Sequence, residues 1–156
     1  MDILQSKQGE FVKCGVEMYV QNDPFIVVIV TPIMRRVHEK KFAGEIVFVD
    51  SSGSCDQTNT VVTFIFCAGK VGALPLACVL HDSTTTNSYT AAFAKAREVI
   101  GFGGFGGAGF PSIIMTDDSD PERVSLRSFS RIRFVVVCIS CSSSLVAVVA
   151  RFFAQN

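Results

Sequence analysis

The sequence predicts an α/β fold whose core is a mixed five-stranded sheet with helices on both faces. Short runs rich in β-branched residues recur between turn residues, as in the strands of a buried sheet. The first three core runs follow one another with short links, which predicts a three-strand antiparallel meander. Helical spacing of apolar residues then separates the later runs, which predicts parallel strands joined by crossover helices.

Before this core, the chain carries a weakly patterned stretch and one strand–helix pair. Residues 1–24 are predicted to form an N-terminal extension that ends in the turn signal Asn22-Asp23-Pro24. The β-branched run 25–30 predicts a strand. Thr31 stands in the N-cap position directly before a proline, so an amphipathic helix is expected over 32–42.

The meander is predicted from three apolar runs. Residues 45–50 form a short strand that ends on Asp50, and a polar loop follows over 51–59. Residues 60–67 and 74–80 are the second and third strands, and the glycines between them suit a hairpin connection.

The second half of the chain alternates helices with strands. Apolar residues at helical spacing predict a helix over 84–100, and threonines at its start can cap it. A strand over 112–116 precedes a helix over about 120–129, which opens with capping-box spacing. The remaining apolar runs predict a last strand and a last helix, over 132–138 and 142–153.

A glycine-rich stretch over 101–110 links the first of these helices to its strand. It contains a literal G-x-G-x-x-G at Gly101, Gly103 and Gly106. A dinucleotide site needs this motif directly after a strand and at the start of a helix. Here the motif follows a helix and precedes a strand, so a flexible connector is predicted.

The composition is that of one folded, electrically balanced domain. Of 156 residues, 49% are hydrophobic and 18% are charged, which argues against a disordered chain. The formal net charge of zero argues against a basic nucleic-acid clamp spread over the whole domain, although a local patch stays open. The balance is uneven along the chain, because every acidic residue precedes position 123 and five arginines follow Glu122.

Six cysteines are spread over the chain, and four of them lie singly in or beside apolar runs, as buried thiols do. No secretory signal opens the sequence, so a reducing intracellular compartment is predicted rather than a disulfide framework. Cys138 and Cys141 form a C-x-x-C pair, but a structural zinc site needs four ligands. Zinc is therefore disfavoured, and two buried or partly buried thiols are predicted instead.

The two histidines of the chain give weak support for catalysis. Ser-His-Asp chemistry has no support beyond the adjacency of His81 and Asp82. His81 is predicted to be a surface residue at the end of a strand.

Asp50 and Asp117 form the most informative pair of acidic residues. Each follows a short apolar strand, and a buried sheet delivers such residues to an accessible edge. Two carboxylates held close together repel each other unless a cation lies between them, and Mg²⁺ prefers oxygen ligands of this kind. Two such ions can align a phosphoryl displacement. Strand-end aspartates also cap helices and turns, and Asp118 and Asp120 compete for the role of ligand.

Residues 134–150 are 17 consecutive uncharged residues between two arginines. This length is near the lower limit for a membrane span, so a C-terminal anchor is an alternative, which the serines in the segment weaken.

Several segments together resemble the Mutator-like element (MULE) transposase domain, a ribonuclease-H-like core of the DDE recombinase type. The most specific are the strand that ends on Asp50, the Leu74-Pro75-Leu76 strand and the strand end Met115-Thr116-Asp117-Asp118. The resemblance runs in the same order from about residue 25 to 138, and it also includes the segments 31–40 and 58–60.

The resemblance implies a fold, a metal site and a substrate. It implies a ribonuclease-H-like sheet, with Asp50 as the first and Asp117 as the second catalytic acid. The acids of such enzymes hold Mg²⁺ or Mn²⁺, which activate water or a DNA 3′-hydroxyl against a phosphodiester. The implied partner is transposon-end DNA bound through its phosphates. The expected location is intracellular, and nuclear in a eukaryotic source.

Three departures from the family pattern limit the expected activity. The third acid of the family lies far downstream, and this sequence has no acidic residue after Glu122. Cys141 stands where the family has a histidine, and the chain holds no Trp although the following family helix is Trp-rich. We therefore expect a truncated core over 25–140, incomplete at its C-terminus, with a diverged helical tail over 141–156.

Three hypotheses follow. The first is a transposase-derived fragment without catalytic competence on its own. The second is a non-catalytic DNA- or protein-interaction module that reuses the fold. For a truncated core of either kind, we expect aggregation or a protein partner that covers the core surface left exposed. The third, which the resemblance weakens because it makes 134–138 a central strand, is a tail-anchored membrane protein.

Overall fold

The computed structural model describes residues 2–53, 57–70, 72–116 and 119–126. Within these ranges the chain has the predicted α/β architecture, with six strands in one mixed open sheet and four α-helices. The helices are α1 (Asp2–Lys13), α2 (Pro32–His38), α3 (Thr86–Ile100) and α4 (Asp120–Leu126). The strands are β1 (Glu17–Asn22), β2 (Phe25–Val30), β3 (Ile46–Ser52), β4 (Val61–Gly69), β5 (Gly72–His81) and β6 (Ile113–Met115).

The strands lie in the order β1-β2-β5-β4-β3-β6. The predicted meander is confirmed, because β3, β4 and β5 are consecutive antiparallel neighbours. The next strand, β6, returns parallel to β3, as predicted for a strand that follows a crossover helix. The predicted strand over 132–138 and the predicted helix over 142–153 lie outside the described residues.

The predicted number of five strands is wrong for the sheet, which has six in its described part. The additional strands come from the hairpin of β1 and β2, whose turn is the predicted Asn-Asp-Pro signal. β1 was not predicted, because its sequence mixes apolar with charged and amide side chains. It is held by pairing with β2 along its whole length, from Glu17 opposite Val30 to Asn22 opposite Phe25.

One face of the sheet packs against helices, and we call it the helix-covered face. Along β4 the side chains alternate, so that Val61, Thr63, Ile65 and Cys67 are buried while the residues between them are more exposed. Residues of α2, α3 and α4 join the buried strand residues in a single hydrophobic cluster. Helix α1 packs against β1.

Two of the predicted helix starts, those capped by threonine, are confirmed. Thr31 caps α2 and accepts a hydrogen bond from the Met34 amide, and Thr85 caps α3 in the same way through the Ser88 amide. Helix α2 ends at His38 rather than near residue 42 as predicted. The last residues of the predicted helix belong instead to a 3₁₀ turn over Lys41–Gly44.

Arg35 ties three elements together. Its guanidinium forms a two-pronged ion pair with Glu17 of β1, at 2.5 and 2.8 Å. It also donates to the carbonyl oxygens of Val99 and Ile100 at the end of α3, at 3.0 and 2.7 Å. A cation at this end of a helix satisfies carbonyls that have no partner within the helix.

The glycine-rich stretch connects α3 to β6, as its sequence context predicts, and it is folded onto the sheet. Phe105 is 1% exposed, and its amide donates to Nδ1 of His38 at 3.2 Å. Gly106 has a φ of 70°, and a Cβ there would lie 2.9 Å from the Lys41 backbone. The glycines therefore allow close backbone packing rather than a phosphate cradle.

Candidate functional site

Asp50 lies near the C-terminal end of β3, between β4 and β6, and it is exposed. Val47 and Val49 point into the hydrophobic cluster, so alternation along the strand places Asp50 and Phe48 on the opposite face of the sheet. We call this the Asp50 face. The sequence prediction that the strand delivers this carboxylate to an accessible position is confirmed.

The surroundings of Asp50 on this face are aromatic. Its cross-strand neighbour on β4 is Phe64, which is 47% exposed. Phe48 and Phe66, the next pair along the same two strands, stack with their ring centroids 5.5 Å apart. A carboxylate beside an exposed aromatic ring gives this strand end both a charge and an apolar contact surface.

The other predicted site residues lie outside the described residues. These are the second acid Asp117, its alternative Asp118, and the thiols Cys138 and Cys141. The pairing of Asp50 with Asp117 therefore stays a prediction. In the part of the chain that the structure describes, no three side chains of His, Cys, Asp or Glu come together as a metal site.

The Asp50 carboxylate offers the kind of oxygen ligand that a hard divalent cation binds, but it is one ligand of the several that such an ion takes. An exposed carboxylate offers the oxygen ligands that Mg²⁺ and Mn²⁺ take, and water completes the coordination sphere of such ions when protein ligands are few. A bound cation would need the second carboxylate to be held firmly in place.

His81 is the largest correction at the site. The sequence predicted a surface histidine, but His81 is 0% exposed and lies under α3. Its ring packs edge-on against Tyr89 at 4.6 Å. The alternation of β5 contained the signal, because position 81 is in phase with the buried residues Ala77 and Val79.

A chain of polar side chains runs through His81, and no sequence pattern predicted it. The Ser51 hydroxyl lies 2.8 Å from that of Thr63, and Thr63 lies 3.2 Å from Nε2 of His81. Nδ1 of His81 lies 3.0 Å from the Ser88 hydroxyl, which donates to Asp82 at 2.7 Å. We call these five residues the hydroxyl–imidazole chain.

The arrangement is not that of a Ser-His-Asp catalytic centre. In such a centre the carboxylate binds the imidazole, which in turn binds the serine. Here the Asp82 carboxylate binds the Ser88 hydroxyl instead, and Ser88 is 7% exposed. Burial lowers the pKa of His81, and the Ser83 carbonyl and Asp82 offset this in part.

A buried acid lies at the start of α4. Glu122 is 1% exposed and accepts a hydrogen bond from the hydroxyl of Thr116, the residue just after β6. The sequence predicted Glu122 as the outer member of a capping box. Its carboxylate instead links α4 to the end of β6, next to the position of the second predicted acid in the sequence.

Three cysteines are described, and each is a free thiol. Cys67 is buried, which raises its pKa to about 11, and burial also raises the pKa of Cys78. Cys14 is exposed, unlike the buried thiols expected for cysteines in apolar runs. Because the thiolate is the nucleophile, the raised pKa values disfavour reaction of both thiols at neutral pH.

A cleft of about 500 Å³ lies at the C-terminal end of α3, beside the glycine-rich connector. Its walls include Phe93, Arg97, Glu98 and Phe102, and Phe102 is 89% exposed. Asp50 is not among the described residues that line this cleft.

Among the described helices, none combines the length and the apolar composition needed to cross a bilayer. The apolar segment 134–150, predicted as an alternative anchor, lies outside the described residues. Comparison of the chain with protein-family models, curated proteins and solved structures finds no match.

Proposed function

We propose that the chain is a transposase-derived domain of ribonuclease-H-like fold that holds a divalent metal ion through Asp50 and Asp117 and binds DNA. The proposal combines the resemblance in the sequence with the position of Asp50 in the sheet. The chain on its own is not expected to cleave DNA, because its sequence lacks the third acid of the DDE type.

The observation that carries the proposal is the register of β3 with β6. These strands are parallel, and Phe48 lies beside Met115. Two residues further along each segment, the sequence has Asp50 and Asp117. Parallel neighbours that continue in register bring such residues to the same edge of a sheet, where two carboxylates favour a cation between them.

The chemistry of the bound ion follows from this position. Mg²⁺ or Mn²⁺ held by Asp50 and Asp117, with Asp118 as the alternative to the latter, would keep sites open for phosphate oxygens of DNA. When bound, the ion would polarise a phosphodiester or lower the pKa of a water molecule. DNA phosphates would supply most of the binding energy.

Titration of the full chain with Mn²⁺ tests the metal site, by calorimetry and by the electron paramagnetic resonance of the ion. We expect saturable binding that Asp50→Asn and Asp117→Asn each weaken by more than about tenfold, a loss seen even for outer partners of metal ligands. Asp23→Asn, an exposed aspartate in the β1–β2 turn, is the matched control and should bind as the unaltered chain does. Equal binding by Asp50→Asn, or no saturable binding, contradicts the proposal.

A nicking assay tests the expected lack of catalysis. The purified chain, incubated with Mg²⁺ or Mn²⁺ and supercoiled DNA, should produce no open circles above the background without protein. Metal-dependent cleavage that Asp50→Ala abolishes would show that the chain is a competent nuclease.

The aromatic surroundings of Asp50 favour a second candidate function, a non-catalytic interaction module. Phe64 is 47% exposed beside Asp50, and exposed aromatic rings are typical of surfaces that stack on bases or contact proteins. In this case Phe64→Ala would weaken binding to single-stranded DNA or a protein partner, while Mn²⁺ would not bind.

A further inference from the structure

The hydroxyl–imidazole chain begins one residue after Asp50, reaches the first turn of α3 at Ser88 and ends at Asp82, the residue just after β5. Ser51 belongs to β3, Thr63 to β4 and His81 to β5, while Ser88 lies in α3. The chain therefore crosses three strands and one helix, and its links measure between 2.7 and 3.2 Å. The proposed metal site does not use it.

The middle of the chain is shielded from water. Thr63 and His81 are 0% exposed and Ser88 is 7% exposed, whereas Asp82 at the far end is exposed. Groups this deeply buried cannot exchange their hydrogen-bond partners for water, so each must be satisfied within the protein. Which group donates and which accepts at each link therefore follows from the protons that these groups carry.

The positions of the protons give the hydrogen bonds of the hydroxyl–imidazole chain a single direction. The Ser83 carbonyl can only accept, and it lies 2.9 Å from Nδ1 of His81, so Nδ1 carries the proton. Nε2 of the neutral ring is then an acceptor and takes the hydroxyl proton of Thr63. The Thr63 oxygen in turn accepts from Ser51.

The other end follows the same direction. The Ser88 hydroxyl has one proton and gives it to the Asp82 carboxylate, so its oxygen accepts from Nδ1 of His81 and shares that proton with the Ser83 carbonyl. Every hydrogen bond between Ser51 and Asp82 therefore has its donor on the Ser51 side. The Asp82 carboxylate, which can only accept, fixes this direction. Aligned hydrogen bonds of this kind strengthen one another in a low-dielectric interior.

We propose that His81 is a positioning residue that, through Thr63 and Ser51, fixes the end of β3 and with it the orientation of Asp50. The proposal rests on the metal-binding role proposed for Asp50. Ser51 points to the helix-covered face and Asp50 to the other face, so the bond that holds Ser51 also holds the peptide between them. A proton on Nε2 would make this nitrogen a donor, and Thr63 and Ser51 would have to reverse their bonds.

The groups that face His81 come from three elements. Thr63 of β4 and Ser88 and Tyr89 of α3 are neutral, and the charge acting on the ring comes from Asp82 on its own strand end. A carboxylate next to the Nδ1 side stabilises the tautomer that the direction of the chain requires.

Two substitutions at Thr63 separate positioning from packing. Thr63→Val keeps the shape of the side chain but removes the hydroxyl, while Thr63→Ser keeps the hydroxyl. His38→Gln is the matched control, since His38 is an equally buried histidine whose bonds lead to Leu76 and Phe105 instead. We expect Thr63→Val to weaken Mn²⁺ binding by about tenfold, the usual size of an outer-partner effect, and Thr63→Ser and His38→Gln to change it less than twofold.

Nuclear magnetic resonance of the metal-free chain gives an independent measurement. The ¹⁵N shifts should show His81 protonated at Nδ1, and the carboxyl ¹³C and amide signals of Asp50 should move in Thr63→Val but not in Thr63→Ser or His38→Gln. Unmoved Asp50 signals, or a proton on Nε2 at pH 7, would overturn the positioning role. If the unaltered chain does not bind Mn²⁺ but the Asp50 signals move as expected, positioning stands and the metal site fails.

Discussion

His38 and His81 are both fully buried, yet they do different things in this fold. His38 donates from Nε2 to the Leu76 carbonyl at 3.1 Å and accepts the Phe105 amide at Nδ1. Both of these partners are backbone groups. His81 carries its proton on the other nitrogen and bonds to the hydroxyls of Thr63 and Ser88 as well as to one carbonyl.

The difference shows how partner chemistry decides the role of a buried imidazole. Backbone carbonyls and amides cannot reverse, so His38 is a fixed clamp that holds the glycine-rich connector on β5. Hydroxyls can donate or accept, so His81 is connected to groups that respond to its own proton. One histidine stabilises the fold, and the other leads toward the candidate site.

The largest expected effect is the loss of the clamp. His38→Leu leaves the Leu76 carbonyl and the Phe105 amide buried without partners, and we expect it to lower the free energy of unfolding by about 4 kcal/mol. His81→Leu should cost about half as much, because Thr63 keeps its bond to Ser51 and Ser88 keeps its bond to Asp82. Urea denaturation measures both, and a larger cost for His81→Leu would contradict the comparison.

Acid should destabilise the chain through the same residues. Burial lowers the pKa of His38 from 6.5 to about 4, against the Leu76 hydrogen bond, which raises it in part. Between these values the unfolded chain binds the proton and the folded chain does not. The contribution of neutral His38 to the free energy of unfolding is therefore fully present above pH 6.5, and about 3 kcal/mol of it is lost as the pH falls to 4.

Denaturation at pH 7, 5.5 and 4.5 measures this loss, and His38→Gln is the control because it removes the titrating ring. His81 contributes in the same direction, since burial lowers its pKa too. A free energy of unfolding that does not change over this pH range would show that folding does not lower the pKa of either ring.

A smaller effect is expected within the hydroxyl–imidazole chain. Thr63→Val removes the donor to Nε2 of His81 and the acceptor of Ser51, and we expect a loss of about 1.5 kcal/mol. Thr63→Ser should recover most of it. Thermal unfolding of the three proteins measures the difference, and equal losses in both variants would mean that packing of the methyl group matters more than the hydroxyl.

The smallest effect on stability is expected at Asp50 itself. Its carboxylate is exposed, so Asp50→Asn should change the free energy of unfolding by less than about 0.5 kcal/mol. The same urea series measures it. A loss comparable with that of Thr63→Val would show that Asp50 serves the fold rather than a ligand.

Local patterns in the sequence were enough to predict most of the sheet and its helix starts. β-branched runs predicted β2 to β6, and Thr31 and the threonines before α3 predicted the caps. β1 was missed because its strand character comes from pairing with β2, which no local pattern records. The predicted hairpin and crossover then followed from strand spacing.

The site was less predictable because its parts come together only in three dimensions. The exposure of Asp50 follows from its place at the end of an apolar run. The burial of His81 follows from β5 alternation, but its partners come from β4 and α3, far away in the sequence. Glu122 looked like a helix cap, and its contact with Thr116 depends on how α4 packs.

The ion pair between Arg35 and Glu17 has a consequence for the edge of the sheet. The ion pair helps to hold β1 beside β2, whose sequence is Phe-Ile-Val-Val-Ile-Val. Without β1, the edge of this apolar strand would expose unpaired amides and carbonyls to strands of other molecules. β1 brings a glutamate, a glutamine and an asparagine to that margin instead. The ion pair and β1 thus cover the edge of β2, an apolar β-branched strand of the kind that would otherwise invite pairing with another chain.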